Sequence, residues 1–272
     1  MRILETVASV RDALSGQPRA VFVPTMGGLH EGHLALVRRA RALGGPVVVS
    51  VFVNRLQFGA GDDFVRYPRD VQQDCALLAR EGCDYVFAPS EAELYPTPQV
   101  YRVVPPAPLA GVLEGAFRPG FFEGVCTVVL KLLAIVGPRY ALFGKKDYQQ
   151  LLVVQSMVQQ FALPVEIMAV ETVRDVHGLA LSSRNAYLSP AQRAEAVLLH
   201  QVLLAATERV AAGAPIAHIE ADAVNALLAA QWAPDYVGVR SRHLSDYVPG
   251  QPGVVLGAAS LGQTRLIDNI EF

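Results

Sequence analysis

The sequence predicts an α/β protein with a doubly wound parallel sheet, followed by a smaller α+β domain. Three observations carry this reading. Over the first two-thirds of the chain, short runs rich in β-branched residues alternate with stretches of helical periodicity, the pattern of successive βα units. The residues with chemistry to offer cluster just after three of those runs, at the strand ends where such sheets bind ligands. Past about residue 172 the alternation stops, and two helices precede a tail of short strands.

Residues 1–16 read as a short amphipathic helix. The apolar run 20–23 fits a buried parallel strand that Pro24 ends, and Gly27 and Gly28 supply a permissive backbone. From His30 onward Leu34, Val37, Ala40 and Leu43 recur at helical spacing with Arg38, Arg39 and Arg41 between them, which predicts a helix over 30–43. Residues 46–53 form a second buried strand, 70–81 a helix, 84–88 a strand and 99–104 another strand. A helix over 123–136 then leads to a strand at 140–143, a helix at 147–161 and a strand at 165–170. Ser189, Pro190, Ala191 and Gln192 form a capping box with proline at the first helical position, opening a helix to about residue 212. A second helix over 216–231 precedes the tail 236–272, with Pro-Gly and Gly-Gln turns between its strands. The chain thus divides into domains 1–172 and 173–272.

Composition limits the function. With 272 residues, 52% apolar and 18% charged, the chain can bury a substantial core in the manner of a soluble globular enzyme. No apolar run approaches the roughly 20 residues needed to span a bilayer, and the charged, block-free N-terminus does not read as a signal peptide. The net charge of −2 and the lack of a basic cluster longer than 38–41 argue against a nucleic-acid partner. Cys75, Cys83 and Cys126 are odd in number and lack metal-type spacing, as three small buried thiols in a reducing cytoplasm would.

The segment 23–33, VPTMGGLHEGH, carries most of the chemistry. His30 and His33 fall on the first turn of a helix, beside free backbone N–H groups and the positive end of the helix dipole. One reading is a capping or core pair. A second is a metal site, although the i, i+3 spacing differs from HExxH and no third ligand cluster follows. The third, which fits best, is a pair that binds phosphate and offsets charge developing during transfer. It matches the HxGH signature of the nucleotidyl-transferase superfamily.

Three further segments follow strands or loops. Residues 52–59 (FVNRLQFG) carry the amides of Asn54 and Gln57, suited to hydroxyl and carboxylate groups or to bracing a loop. Residues 144–150 (GKKDYQQ) put Lys145 and Lys146 at a strand end as point charges for phosphate or as a solvated turn, with Asp147 placed to cap the next helix. Residues 181–185 (LSSRN) form either a polar linker or a cover for a triphosphate.

In the order PTMGGLHEGH, FVNRLQFG, YPRD, FFEGVCTVV, LFGKKDYQQ and LALSSRN, the chain resembles the pantothenate synthetase (pantoate–β-alanine ligase) family, most strongly over 20–190. The resemblance implies a Rossmann-like N-terminal domain, a C-terminal lid, a homodimer, and condensation of pantoate with β-alanine through a pantoyl-adenylate made from ATP. It assigns ATP contacts to Met26, Gly27, Gly28, Leu29, His30, Glu31, Gly32 and His33, with His33 as the catalytic histidine. Gly144, Lys145, Lys146 and Asp147, the backbone of Val173, and Leu181, Ser182, Ser183 and Arg184 complete the ATP set. Gln57 and Gln150 match the residues that grip pantoate, and Gln57 also meets β-alanine. Magnesium would ride on the phosphates, with Asp74 the candidate protein ligand. Arg55-Leu56 and Leu181 depart from the family's usual residues, the first leaving the wall beside pantoate open to question. Two rivals remain at this level: a plain nucleotidylyltransferase, which would lack the amide set, and a silent nucleotide-binding module, which would need no covering loop.

Overall fold

The computed structural model describes residues 1–59 and 63–272. The first part contains β1 (Arg2–Leu4), α1 (Val7–Leu14), β2 (Val21–Thr25), α2 (Glu31–Arg41), β3 (Val47–Val51), α3 (Val71–Arg80) and β4 (Tyr85–Phe87). Three single-turn helices follow, α4 (Glu91–Leu94), α5 (Ala107–Ala110) and α6 (Glu114–Phe117). Then come α7 (Phe121–Val136), β5 (Tyr140–Gly144), α8 (Tyr148–Gln160) and β6 (Glu166–Val170). The C-terminal part contains α9 (Pro190–Glu195), α10 (Val197–Ala211), α11 (Ile216–Ala229), β7 (Ala233–Ser241), β8 (Gly253–Leu261) and β9 (Thr264–Glu271).

The strands β1 to β6 make one parallel sheet in the order β1-β4-β3-β2-β5-β6. Successive side chains of a strand alternate between faces, and both faces here are apolar. Phe22, Val48, Ala141 and Phe143 pack with α1, α7 and α8. Val21, Val23, Val47, Val49, Val51 and Leu142 pack with α2 and α3 on the other side. Full burial of one such side chain contributes roughly 1.5–3 kcal/mol, so a shift of one residue in β2 or β3 is strongly disfavoured.

The sheet is built outward from β2, first through β3 to β4 and then through β5 to β6, so direction reverses between β2 and β5. Strands β2 and β3 keep register from Val21↔Val47 to Thr25↔Val51, whereas β2 and β5 pair only at Val21↔Tyr140 and Phe22↔Ala141. Their carboxyl ends therefore part, opening a crevice at the switch point of the topology. That separation also explains Pro24, which lies inside β2 rather than ending it. In a parallel strand alternate N–H groups face alternate neighbours. Pro24's missing N–H would have faced β5 beyond the last pair, so no ladder bond is lost.

The other departures have local causes. Residues 99–104 form no strand and are tied instead to Thr127, Lys131 and Glu123 of α7, while the sheet edge beside β4 is taken by β1, which the helical reading of residues 1–16 overlooked. The helix after the Ser189–Gln192 capping box is interrupted at Ala196, dividing α9 from α10. Asp147 makes no side-chain cap to α8.

The three C-terminal strands form an antiparallel sheet, β7-β8-β9, with α10 and α11 packed on it around Leu203, Ile219, Leu227 and Val255. The chain enters this part through Arg174, whose guanidinium donates to both oxygens of buried Asp268 on β9 at 2.6 and 2.9 Å. The Asp268 carboxyl is buried, which opposes its charge, yet His200 and Arg174 hold its pKa below the usual range.

Candidate active site

Thr25 closes β2 by donating its hydroxyl to Ser50 O at 2.6 Å and accepting from Gly27 N–H at 3.2 Å. The chain then turns through Gly27 and Gly28 with φ of +82° and +62°, and a Cβ on Gly27 would sit 2.9 Å from Asp74 Oδ2. Asp74, on α3, accepts the N–H groups of Gly28 at 3.0 Å and Leu29 at 2.8 Å. Burial raises its pKa while those two donors counter the rise. The structure thus gives Asp74 a different task from the metal ligation suggested by the sequence. No group of three or more His, Cys, Asp or Glu side chains placed to hold a metal ion occurs among the described residues.

His30 is the N-cap of α2 rather than a residue of its first turn, and its ring uses one of the N–H groups expected to be free. His30 Nδ1 accepts from Gly32 N–H at 3.1 Å, and His33 Nδ1 accepts from His30 N–H at 3.3 Å. Acceptor Nδ1 atoms assign the proton of each neutral ring to Nε2, a tautomer inferred from the bonding pattern. The rings are tilted by 43° with centroids 4.1 Å apart. Burial lowers the pKa of His30 to about 4, with the nearby positive charge of Lys146 adding to the effect. Burial lowers His33 as well, reinforced by His30 and Lys146. At neutral pH the pair is uncharged and presents two Nε2–H donors.

Both rings line a cavity of about 460 Å³ between the sheet and the C-terminal part. Met26, Gly32, Gln57, Gly144, Lys146, Asp147, Gln150, Val173 and the whole of 181–184 line it too. Gly27, Gly28 and Leu29 stand behind this wall and shape it. Glu31 turns away to pair with Arg38 on the surface. Lys145 is also drawn elsewhere, to Glu171 at 2.6 Å and Glu271 at 2.7 Å. Lys146 is the lysine that faces the cavity, on a turn braced by Asn269 of β9, whose amide donates to the carbonyls of Lys145 and Lys146, both at 2.9 Å.

The amides divide by role. Asn54 Nδ2 donates to Gln57 Oε1 at 3.0 Å and to Gly124 O at 3.1 Å, and Tyr95 donates to Asn54 Oδ1 at 2.9 Å. Asn54 therefore orients Gln57. Gln149 braces α6 by donating to Leu109 O and Val112 O and accepting from Glu114 N–H, while Gln150 faces the cavity. Arg55 does not enter the cavity wall, because its guanidinium pairs with Glu91 and lies 4.2 Å over the Phe64 ring.

Above the histidines, Ser183 Oγ donates to Gly28 O at 2.8 Å, and Tyr187 donates to Arg66 O at 2.9 Å. Arg184 grips Asp63 through two bonds of 2.9 Å. Sequence reasoning missed Asp63, Tyr67 and Arg118, all of which line the cavity. Arg118 donates to Gln57 O at 3.4 Å and lies 3.9 Å over the Phe121 ring. The YPRD segment containing Tyr67 was visible as a motif, but nothing in its residue types marked a role.

A family model described as pantoate-beta-alanine ligase matches residues 2–271. The chain belongs to the pantoate–β-alanine ligase family. Solved structures agree: the pantothenate synthetase of Thermus thermophilus is 49% identical, with a TM-score of 0.92 over 99% of each chain. The pantoate-beta-alanine ligase of Francisella tularensis, solved in complex with beta-gamma ATP and beta-alanine, is 31% identical, with a TM-score of 0.82 over 99% of this chain and 97% of that one. The parallel sheet with its small antiparallel C-terminal domain is the family's fold, and the chain is a ligase of pantothenate formation.

Proposed function

We propose that this chain joins pantoate to β-alanine in two steps within the 460 Å³ cavity, using ATP. Pantoate's carboxylate oxygen attacks the α-phosphorus, the bond from that phosphorus to the β-phosphate bridge breaks, and pyrophosphate leaves with the electron pair. β-Alanine's neutral amine then attacks the acyl carbon of the adenylate, the C–O bond to phosphate breaks, and AMP departs as the amine sheds a proton. The protein contributes positioning and charge rather than covalent chemistry.

The observation that carries this reading is the convergence on one cavity of two neutral Nε2–H donors, the Lys146 ammonium and Arg184. In this assignment His33 donates to charge building at the α-phosphate, and His30, Lys146, Ser182, Ser183 and Arg184 cradle the remaining phosphates. Gln57, held by Asn54, and Gln150 bind pantoate's oxygens, with Gln57 also meeting β-alanine. The backbone of Val173 contacts adenine. Magnesium fits as an ion carried by phosphate oxygens, with Asp147 the carboxylate on the cavity wall nearest Lys146, at 3.7 Å. When bound it would neutralise polyphosphate charge.

The same proposal takes residues 173–272 as a lid that shields the adenylate from water, with the domain division at 172/173. It also includes a homodimer, for which the exposed side chains of Val100, Tyr101 and Val104 are the candidate contact. No helix among the described residues is long and apolar enough to cross a membrane. The three buried, unpaired cysteines support a cytoplasmic location.

The test is isotope exchange between ATP and pyrophosphate. Exchange should require pantoate but not β-alanine. Exchange that appears only after β-alanine is added would overturn the two-step order.

A further inference from the structure

Asp63 has no place in the reaction so far, yet it makes the strongest tie between the covering segment and the sheet domain. Its Oδ2 accepts from Arg184 Nε and its Oδ1 from Arg184 Nη2, both at 2.9 Å. Both side chains are mostly buried, Asp63 at 12% exposure and Arg184 at 27%. Burial disfavours the guanidinium's charge, and the Asp63 carboxylate more than compensates, so the pKa of Arg184 is raised. The ring of Tyr67 lies 5.7 Å from the guanidinium, fixing the pair from a third side.

A guanidinium is a planar fork with five N–H groups that can serve two partners at once. Asp63 occupies the Nε/Nη2 edge. Nη1 lies on the opposite edge, and Arg184 lines the same cavity as His30, His33 and Lys146. A polyphosphate can therefore meet Arg184 without displacing Asp63.

We propose that Asp63 is a positioning residue for the nucleotide: it fixes Arg184 by one edge so that the other meets the polyphosphate, and it keeps segment 181–187 docked. This rests on the ATP assignment above. The sign of the effect makes it testable. By Coulomb's law alone, deleting a carboxylate beside a polyanion site should tighten ATP binding. A positioning role demands the reverse.

The experiment uses the full chain with Asp63→Ala, Asp63→Asn, Asp63→Glu, Arg184→Ala and the double variant Asp63→Ala/Arg184→Ala. ATP and pantoate are titrated separately by calorimetry, and pantoate-dependent exchange is measured alongside. Asp63→Ala should weaken ATP by roughly 10- to 100-fold, the scale of a charge-assisted hydrogen-bonded pair, while pantoate affinity stays within about twofold. Asp63→Glu should recover part of the loss. The double variant should be no worse than Arg184→Ala alone, since Asp63 acts through that arginine. Tighter ATP binding by Asp63→Ala, or losses that multiply in the double variant, would overturn the proposal. If Asp63→Ala unfolds, the isosteric Asp63→Asn carries the same comparison. Absence of exchange in the unmodified chain would strike the ligase mechanism instead, while ATP calorimetry would still read the Asp63–Arg184 pair.

Discussion

The glycine turn at 25–33 and the covering segment at 181–187 meet beside the cavity and are similar in length, but they are held differently. The turn is fixed from within the sheet domain, by Ser50, by Asp74 and by the bonding of His30 and His33 to the backbone. The covering segment has local bonds from Ser182 and Asn185 and is held by Arg193 of α9 and by the Val173 carbonyl, while Ser183, Arg184 and Tyr187 reach into the sheet domain. One side is a wall braced by the sheet domain. The other, the proposed cover, is tied to that domain by polar side chains. Damage to the wall should appear in turnover, and damage to the cover in nucleotide affinity.

The largest expected effect is on the wall. His33→Ala should lower the rate of adenylate formation by about 10²-fold or more, as loss of one preorganised donor does, while ATP affinity changes little. His33→Gln should recover part of the rate, because its side-chain amide can place an N–H near the position of Nε2. Single-turnover kinetics separate the two quantities. An ATP affinity loss as large as the rate loss would erase the distinction between wall and cover.

Acid should also discriminate. The folded pKa of His30, about 4, lies below its unfolded value of 6.5, and His33 shifts the same way. Between those values the unfolded chain binds more protons, so stability rises with pH across this window. The contribution is fully present above pH 6.5 and is lost as pH falls toward 4. For His30 the loss should reach roughly 2 kcal/mol by pH 5, at 1.36 kcal/mol per pH unit. Urea unfolding at pH 7 and pH 5 measures it, and His30→Gln/His33→Gln should show a smaller acid loss. The anchors of the covering segment include no histidine. An undiminished loss in the double variant would place the acid sensitivity outside the wall.

The same contrast explains what could be read from the sequence. Strands β2, β3 and β5 were legible because a strand buried on both faces must be continuously apolar, and the HxGH histidines because residue type and spacing suffice to mark them. Strand β1 was not, since three residues at a sheet edge are specified by their neighbour β4 rather than by their own pattern. Residues 99–104 show the converse: they have strand composition, but their polar partners lie on α7 rather than on a strand. At the site, residue type alone marked Lys145 and Lys146 equally, and the family resemblance singled out Lys146 as the phosphate-facing lysine. Only tertiary packing shows that Glu171 and Glu271 draw Lys145 away. Asp63 was invisible because its partner lies 121 positions along the chain.

The smallest effect falls where wall and cover touch. Ser183 Oγ donates to Gly28 O at 2.8 Å, joining the covering segment to the glycine turn by one neutral hydrogen bond. Ser183→Ala deletes that bond together with the hydroxyl's contact to Tyr67 and its proposed contact to phosphate, while water can satisfy the partly buried Gly28 carbonyl. A neutral bond of this kind contributes about 0.5–1.5 kcal/mol, so the KM for ATP should rise roughly 2- to 10-fold. Turnover at saturating ATP should stay within about twofold, since His33, Lys146 and the turn itself are untouched. Steady-state exchange at varied ATP and saturating pantoate reads both numbers. Unchanged KM would mean that this bond does not help seat the cover. A loss confined to turnover would mean that the hydroxyl acts on the reacting phosphate, and Ser183 would then belong with the wall.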